Sequence, residues 1–295
     1  MNGVLLLNKP RGMTSHDCVV KVRRMLGTKK VGHTGTLDPD VDGVLPLCIG
    51  PATKLVQFLT AETKEYIGEV TVGYSTTTED ASGEMLERRS VNEAFSQEEI
   101  EQLLQSMIGT STQIPPMYSA VKVDGKKLYE YARAGIQVER PKRKVTIFEL
   151  ELLGNLNHCD KLLKFKFRVH GSKGIFIRTV AVTIGDKLGY PAHMSELTRV
   201  ASGSFKLENC VTFDEIEAGE FELLTISEAL AGFPATVVDN WVEKLVRNGV
   251  KLRDTQVMPP MKDGKFLIKN KDGMPLSIHQ WDEKRQGYVP VRGLW

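Results

Sequence analysis

Cysteine is scarce and scattered in this chain of 295 residues: the four, at positions 18, 48, 159 and 210, form no CxxC pair and no Cys/His cluster. Neither the spacing of a zinc site nor a disulfide framework is present, and reduced thiols of a cytosolic protein are expected instead. An excess of one charge is missing too. Lys and Arg total 39 against 37 Asp and Glu, a net charge of +2, so any nucleic-acid partner has to be read from local clustering. No apolar run approaches the roughly 20 residues that cross a bilayer. The opening MNGVLLLNKPRGMTS follows four apolar residues with Lys-Pro, where a signal peptide would have a basic start and a longer apolar stretch. A P-loop and a GxGxxG fingerprint are also absent. These absences lead to the expectation of a soluble, cytoplasmic protein with no membrane association, no metal and no organic cofactor.

The length suits one large domain with an appendage. Val4 to Leu7 reads as a buried strand stopped by Lys9-Pro10 and Gly12. Thr14 or Ser15 can cap a helix carrying Val19, Val22 and Leu26 on one side, which Gly27 ends. A Gly-rich loop over 31–43 leads into an apolar strand, 44–49. Tyr66, Val70, Val72 and Tyr74 alternate with Ile67, Glu69 and Thr71 in a further strand, followed by a polar loop over 75–83. Ser96 and Glu99 form a capping box before a helix striped with Ile100, Leu103, Leu104, Met107 and Ile108, closed by Gly109. Leu163, Phe165, Phe167 and Val169 alternate with Lys164, Lys166, Arg168 and His170, a strand with one apolar and one basic face. A helix over 175–188 and a short strand around Arg199 come next, then short helices over 207–235. Beyond 236, short strand and turn signals predict a small β-rich domain.

The densest chemistry lies in Gly32-His33-Thr34-Gly35-Thr36-Leu37-Asp38-Pro39-Asp40-Val41-Asp42-Gly43. Asp38, Asp40, Asp42 and Gly43 open like an EF-hand loop, but the twelfth position is Ile49 where a bidentate Glu is required. A glycosidase pair fares poorly, because two carboxylates on one short loop do not reach opposite sides of a scissile bond. A lone carboxylate acting at a sugar carbon fits better. An ordinary Asp, with a pKa of about 3.9, is ionised at neutral pH without help from a base. Pro39 favours an extended backbone at Asp38, and the glycines admit a close polynucleotide backbone. Asp40 and Asp42 read as turn residues.

The run Gly32-His-Thr-Gly-Thr-Leu-Asp-Pro39, with Gly43-Val-Leu-Pro-Leu-Cys-Ile-Gly50, resembles the catalytic motif of the TruB family of tRNA pseudouridine-55 synthases. Further matches follow in order: Leu7-Asn-Lys-Pro10, Lys64-Glu-Tyr66, 73–83, Gln113-Ile-Pro-Pro-Met-Tyr-Ser-Ala120, Ser172-Lys-Gly-Ile-Phe-Ile-Arg-Thr179 and Ala201-Ser-Gly-Ser-Phe205. The resemblance implies an α+β pseudouridine-synthase fold on a mixed, mainly antiparallel sheet flanked by helices. It would comprise a catalytic domain, 1–235, with an RNA-facing insertion at about 110–145, and a PUA-like RNA-binding domain, 236–295. The implied partner is the T-arm of tRNA, bound by a monomer. Asp38 would be the catalytic carboxylate, Arg178 its partner, and Tyr66 the aromatic residue stacked on the target uracil. His33 would displace the base, Leu197 line the pocket, and Lys9 and Phe176 bind substrate. The family commonly has Tyr where this chain has Phe176, so a hydroxyl contact is lost there.

Each of these side chains also has a plainer reading. Tyr66 shares a core face with Val70 and Val72, a helix-start arginine is usually solvated, and a loop histidine usually bonds locally. Phosphate contacts are expected from 122–144, where eight basic residues face three acids, notably Lys122, Lys142, Arg143 and Lys144. The basic face at Lys164, Lys166 and Arg168 would extend that surface, and its plainer reading is a solvated strand.

Overall fold

The computed structural model describes residues 1–60 and 62–294. Strand β1 (Gly3–Lys9) and helix α1 (Ser15–Met25) come first, the helix held at its start by a capping box between Thr14 and Asp17. Gly27, at φ 61°, turns the chain out of α1. Two strands follow, β2 (Val31–His33) and β3 (Asp42–Ile49), then a short helix α2 (Val56–Leu59) and strand β4 (Lys64–Val72). A hairpin of β5 (Tyr74–Thr76) and β6 (Met85–Arg88) precedes α3 (Gln97–Gln105), which the Ser96–Glu99 box caps. Beyond β7 (Gly109–Gln113) lies the insertion, a small hairpin of β8 (Lys122–Val123) and β9 (Lys126–Lys127) running into α4 (Leu128–Arg133). The long hairpin of β10 (Arg143–Cys159) and β11 (Leu162–Gly171) leads to α5 (Ile177–Leu188), β12 (Ala192–Ser202) and β13 (Phe205–Lys206).

One nine-stranded sheet results, ordered β1-β3-β12-β4-β11-β10-β7, with β2 added to β3 and β13 to β12. Its pairings are antiparallel except for β3 with β12, the mixed, mainly antiparallel sheet expected. The continuous apolar run Val4–Leu7 has a simple cause. Leu5, Leu7, Leu45 and Leu47 enter the main core on one face of β1 and β3, while Val4, Leu6, Val44 and Cys48 enter a second core on the other. A strand buried on both faces needs no polar alternation. The short strand expected around Arg199 is an eleven-residue central strand, because it pairs with β4 along most of its length.

After helices α6 (Phe213–Ala218) and α7 (Ile226–Ala229), the C-terminal segment forms β14 (Ala235–Val237), α8 (Asn240–Arg247), β15 (Lys265–Lys269), β16 (Pro275–Asp282) and β17 (Gly287–Gly293). The four strands make their own sheet, and α8 is an element that the β-rich expectation missed. This sheet contributes Leu267 and Ile278 to the second core beneath β1 and β3, together with Leu294. Among the described residues no helix is long and apolar enough to cross a membrane.

Candidate active site

A cavity of about 970 Å³ opens between the 33–41 loop, the start of α1, the 78–82 loop, the insertion and β12. Asp38 lies on its wall with a side chain 40% exposed, and its Oδ2 is 2.9 Å from Nη2 of the buried Arg178. The first turn of α5 delivers Arg178, whose Nη1 also lies 3.5 Å from Asp80 Oδ2. Two further bonds fix the guanidinium, Nη1 to the Thr78 carbonyl at 2.9 Å and Nη2 to that of Tyr118 at 2.8 Å. Asp80 is itself ordered by Thr78 Oγ1, Ser82 N–H and Ser82 Oγ, all donating to its Oδ1. One arginine therefore serves two carboxylates, and Asp80 is a member of the site that sequence reading left inside an undifferentiated polar loop.

Burial pushes the Asp38 carboxyl above the ordinary carboxylate range even though Arg178 pulls it down, and the negative charge of Asp80 adds to the rise. Burial also lowers the pKa of His33, with the positive charge of Arg199 acting in the same direction. The Gly35 N–H donates to His33 Nδ1 at 3.3 Å, so the ring sits as a neutral acceptor on the cavity wall.

Tethers, most of them from distant parts of the chain, hold the backbone around Asp38. Ser15 Oγ accepts from Leu37 N–H at 2.8 Å and donates to the Leu37 carbonyl at 3.3 Å. Gly12 N–H donates to the Pro39 carbonyl at 2.9 Å, and Val41 N–H to that of Asp38 at 3.1 Å. Thr198 Oγ1 donates to Asp42 Oδ1 at 2.7 Å. Lys9 corrects an expectation. Instead of meeting substrate it is fully buried, and its ammonium donates to the carbonyls of Pro10, Pro39 and Val41 at 2.9, 3.0 and 2.6 Å. The physical reason is the loop itself: its inward carbonyls need donors, and a long cationic side chain from β1 supplies three. Gly43, at φ 109°, completes the packing, since a Cβ there would collide with the Arg199 backbone.

The remaining expected residues divide. Leu197 lines the cavity, opposite Gly68, where a Cβ would come within 3.2 Å of the leucine methyl. Tyr66 is not part of the wall. It points from the inner face of β4 into the main core, which it shares with the wall residues Leu37, Val41 and Leu197. It keeps 8% of its surface exposed, and its hydroxyl bonds to no other described residue. Phe176 is half-buried and also lies outside the wall. Gln113 grips its backbone, accepting from the N–H at 3.0 Å and donating to the carbonyl at 3.3 Å.

Lys122, Lys142, Arg143 and Lys144 are exposed but line no part of the cavity. Arg143 and Lys144 pair with Gln113 and Thr112 of the edge strand β7. Lys127 and Arg133 of the same basic segment reach the wall instead, both stacked on the Tyr129 ring at 5.3 and 5.4 Å from its centroid. On the basic face of β11, Lys166 lies 3.9 Å from Glu196 and Arg168 3.5 Å from Glu65, pairs that offset part of its charge. Among the described residues no group of His, Cys, Asp or Glu has the arrangement of a metal site.

Solved structures share this architecture. A Cbf5-Nop10-Gar1 complex aligns with a TM-score of 0.75 at 24% identity, covering 99% of this chain and 85% of the other. An H/ACA RNP bound to a substrate RNA containing 2'-deoxyuridine aligns at 0.72 and 21%, again over 99% and 85%. The fold is that of the pseudouridine synthases. Residues 23–177 match the N-terminal domain of the TruB family pseudouridylate synthases, and residues 178–225 the C-terminal domain of tRNA pseudouridylate synthase B. Curated relatives called tRNA pseudouridine synthase B are 52% identical in Bacillus cytotoxicus, over 100% of this chain and 97% of the relative. In Bacillus subtilis strain 168 the identity is 51%, over 95% and 93%. The chain belongs to the TruB family of pseudouridylate synthases.

Proposed function

We propose that the chain is a tRNA pseudouridine synthase that isomerises the T-loop uridine at position 55 with Asp38 as its catalytic carboxylate. The observation that carries this reading is the Asp38 carboxylate, held at 2.9 Å by a buried arginine on the wall of a cavity large enough for an extruded nucleotide. The names of the curated relatives supply the tRNA substrate. The reaction breaks the N1–C1′ bond of uridine, turns the base over and joins C5 to C1′. The C5 proton is lost and N1 gains one, so the product is an isomer and no electrons are exchanged.

Asp38 serves at the sugar, where a carboxylate attacks C1′ or removes a sugar proton. Arg178 holds it and offsets its charge. The target nucleotide leaves its stack at a cost of a few kcal/mol, and His33 at the cavity edge takes the vacated place. Leu197 packs against the uracil, which enters past it far enough to meet Tyr66. An aromatic face returns roughly 1–3 kcal/mol per stacked base. Lys127 and Arg133 take phosphates at the rim, with Lys122, Lys142, Arg143 and Lys144 contacting the RNA farther out. Phe176, at the head of α5, supports the Arg178 turn. Asp38 is 40% exposed, so water is excluded from the reacting carbon only once the nucleotide fills the cavity. Residues 1–235 act as the catalytic domain and 236–295 as an RNA-binding appendage toward the acceptor side. The protein works as a monomer in the cytoplasm.

The test is to incubate the purified protein with unmodified tRNA in excess EDTA and map the product. Pseudouridine at position 55 alone is expected; free uracil would indicate a hydrolase, and RNA binding without any pseudouridine would indicate a silent scaffold.

A second experiment addresses the electrostatics. Asp38 must be ionised to act, and its pKa is raised above 3.8, so single-turnover rates should fall as pH drops through a value above the ordinary carboxylate range. Replacing Asp80 by Asn removes a charge that raises this pKa. The acid limb of the pH–rate profile should therefore move to lower pH in Asp80→Asn, and a limb that stays put or moves up would detach Asp80 from Asp38.

A further inference from the structure

Arg199 lies on the central strand β12, opposite Tyr66 on β4 and Gly43 on β3, and is 1% exposed. It forms no ion pair with any described residue, and its hydrogen bonds go to backbone: Nε to the Val44 carbonyl at 2.7 Å and Nη2 to the Gly35 carbonyl at 3.3 Å. Lys64, a second buried cation, lies on the same side of Gly35 and donates to the Glu62 carbonyl at 2.8 Å. Burial first, and then the charge of Arg199, push that ammonium down to about 8. Two adjacent cations inside a core are an unfavourable arrangement. A position that served only packing would be filled better by an apolar side chain of similar volume.

The two carbonyls bonded by Arg199 bracket Asp38 in the sequence, one on the entry side of the loop and one on the exit side. The Ser15 and Lys9 tethers each fix points inside the loop, whereas Arg199 joins its two roots. It also reaches His33 indirectly, since the glycine whose carbonyl it holds is the one whose N–H fixes the imidazole. A guanidinium suits this task because its donors lie in a rigid planar fork; a lysine ammonium on a flexible stem does not present the same geometry.

We infer that Arg199 is a positioning residue of the reaction proposed above, a fork that locks the two roots of the Asp38 loop together and so sets where the carboxylate and His33 stand relative to the target nucleotide. A displacement of about 1 Å at a reacting group can cost on the order of 100-fold in rate. The phosphate-binding residues lie on other elements, so RNA affinity does not depend on the fork.

The test compares wild type with Arg199→Lys and Arg199→Gln in the full-length protein. It measures thermal unfolding, tRNA affinity, single-turnover pseudouridine formation, and amide hydrogen exchange along the loop. Both variants should fold and bind tRNA within about twofold of wild type, while the single-turnover rate falls roughly ten- to hundredfold. Amides from Thr36 to Val41 should exchange at least about tenfold faster, with those of β4 and β11 unchanged. Wild-type rates in Arg199→Lys would overturn the inference, as would loss of affinity in step with rate. So would accelerated exchange spread across β4 and β11, or failure of both variants to fold, since the residue would then be holding the sheet. The exchange measurement does not depend on product formation. An inactive wild type with a loosened variant loop would therefore count against the proposed reaction and not against the fork.

Discussion

Asp38→Asn should lower single-turnover pseudouridine formation by at least about 10⁴-fold, the scale on which loss of an essential nucleophile acts, while tRNA affinity and fold persist. The amide has the shape of the carboxylate and can still accept from Arg178, so the loop keeps its tethers. What disappears is the charge needed at the sugar. Stability should hold or rise, and the sign follows from burial. The folded-state pKa of Asp38 is raised, so its protonated form is favoured by folding, and that contribution is lost as pH rises through the folded pKa. At pH 7 the ionised carboxylate is thus a burden on the native state, and an uncharged isostere removes it. Rapid-quench assays with saturating protein, run beside thermal unfolding at pH 7, check both halves. Near-normal product from the variant would end the case for a carboxylate mechanism, and a melting temperature lower by many degrees would reassign Asp38 to structure.

A joint loss of stability and rate is expected at Arg178. Its guanidinium is buried and touches Asp38, Asp80 and the carbonyls of Thr78 and Tyr118. Arg178→Ala leaves two carboxylates facing one another without a cation and two carbonyls without their donor. Removal of one member of a buried pair costs about 3–5 kcal/mol, and the exposure of Asp38 puts this case near the lower end. At 2–4 °C per kcal/mol for chains somewhat smaller than this one, the melting temperature should fall by roughly 6–12 °C. Activity should fall with it, because the 78–82 loop and the Asp38 loop lose their common anchor. Arg178→Lys separates the contributions: it keeps a charge but cannot span both carboxylates, so stability should recover more than rate does. A fully active Arg178→Lys would show that the fork geometry has no part in the reaction.

Proximity along the chain largely decided what could be read in advance. The Asp38 loop was legible because its glycines, its Asp-Pro step and the apolar strand after it are contiguous. Likewise Thr14 and Asp17, or Ser96 and Glu99, announce helix starts over four residues. The tethers of that loop were not legible. Ser15 reaches across 22 residues, Lys9 across 32 to Val41, and Arg199 across 155 to Val44. Hydrophobic periodicity marks strands without giving their order, and only the order β1-β3-β12-β4 places Lys9 and Arg199 beside the loop. Lys9 was misassigned for that reason. A lysine beside a proline reads as a surface residue until β1 is seen to be buried on both faces.

The basic segment divides in a way its sequence does not show. Its charges are adjacent in sequence, but α4 turns Lys127 and Arg133 to the cavity while β10 carries Arg143 and Lys144 along β7. Asp80 had a local signature in its neighbours Thr78 and Ser82, yet its meaning depended on an arginine on α5, nearly a hundred residues further on. The eight-residue α8 carried a local signature as well, Asp239 as its cap and Val242, Leu245 and Val246 at helical spacing on its inner side, but it is short and lies among strand and turn signals.

The second core has a practical consequence for anyone shortening this chain. Leu267, Ile278 and Leu294 pack with Val4, Leu6 and Val44, the underside of the two strands whose upper ends carry Lys9 and the exit of the Asp38 loop. Cutting at residue 235 would remove these three side chains from a core that Phe58, Phe205 and Leu230 would still partly cover, leaving a greasy patch open to self-association. Weaker catalysis by such a remnant would then report a sagging floor beneath the loop as much as a lost grip on RNA.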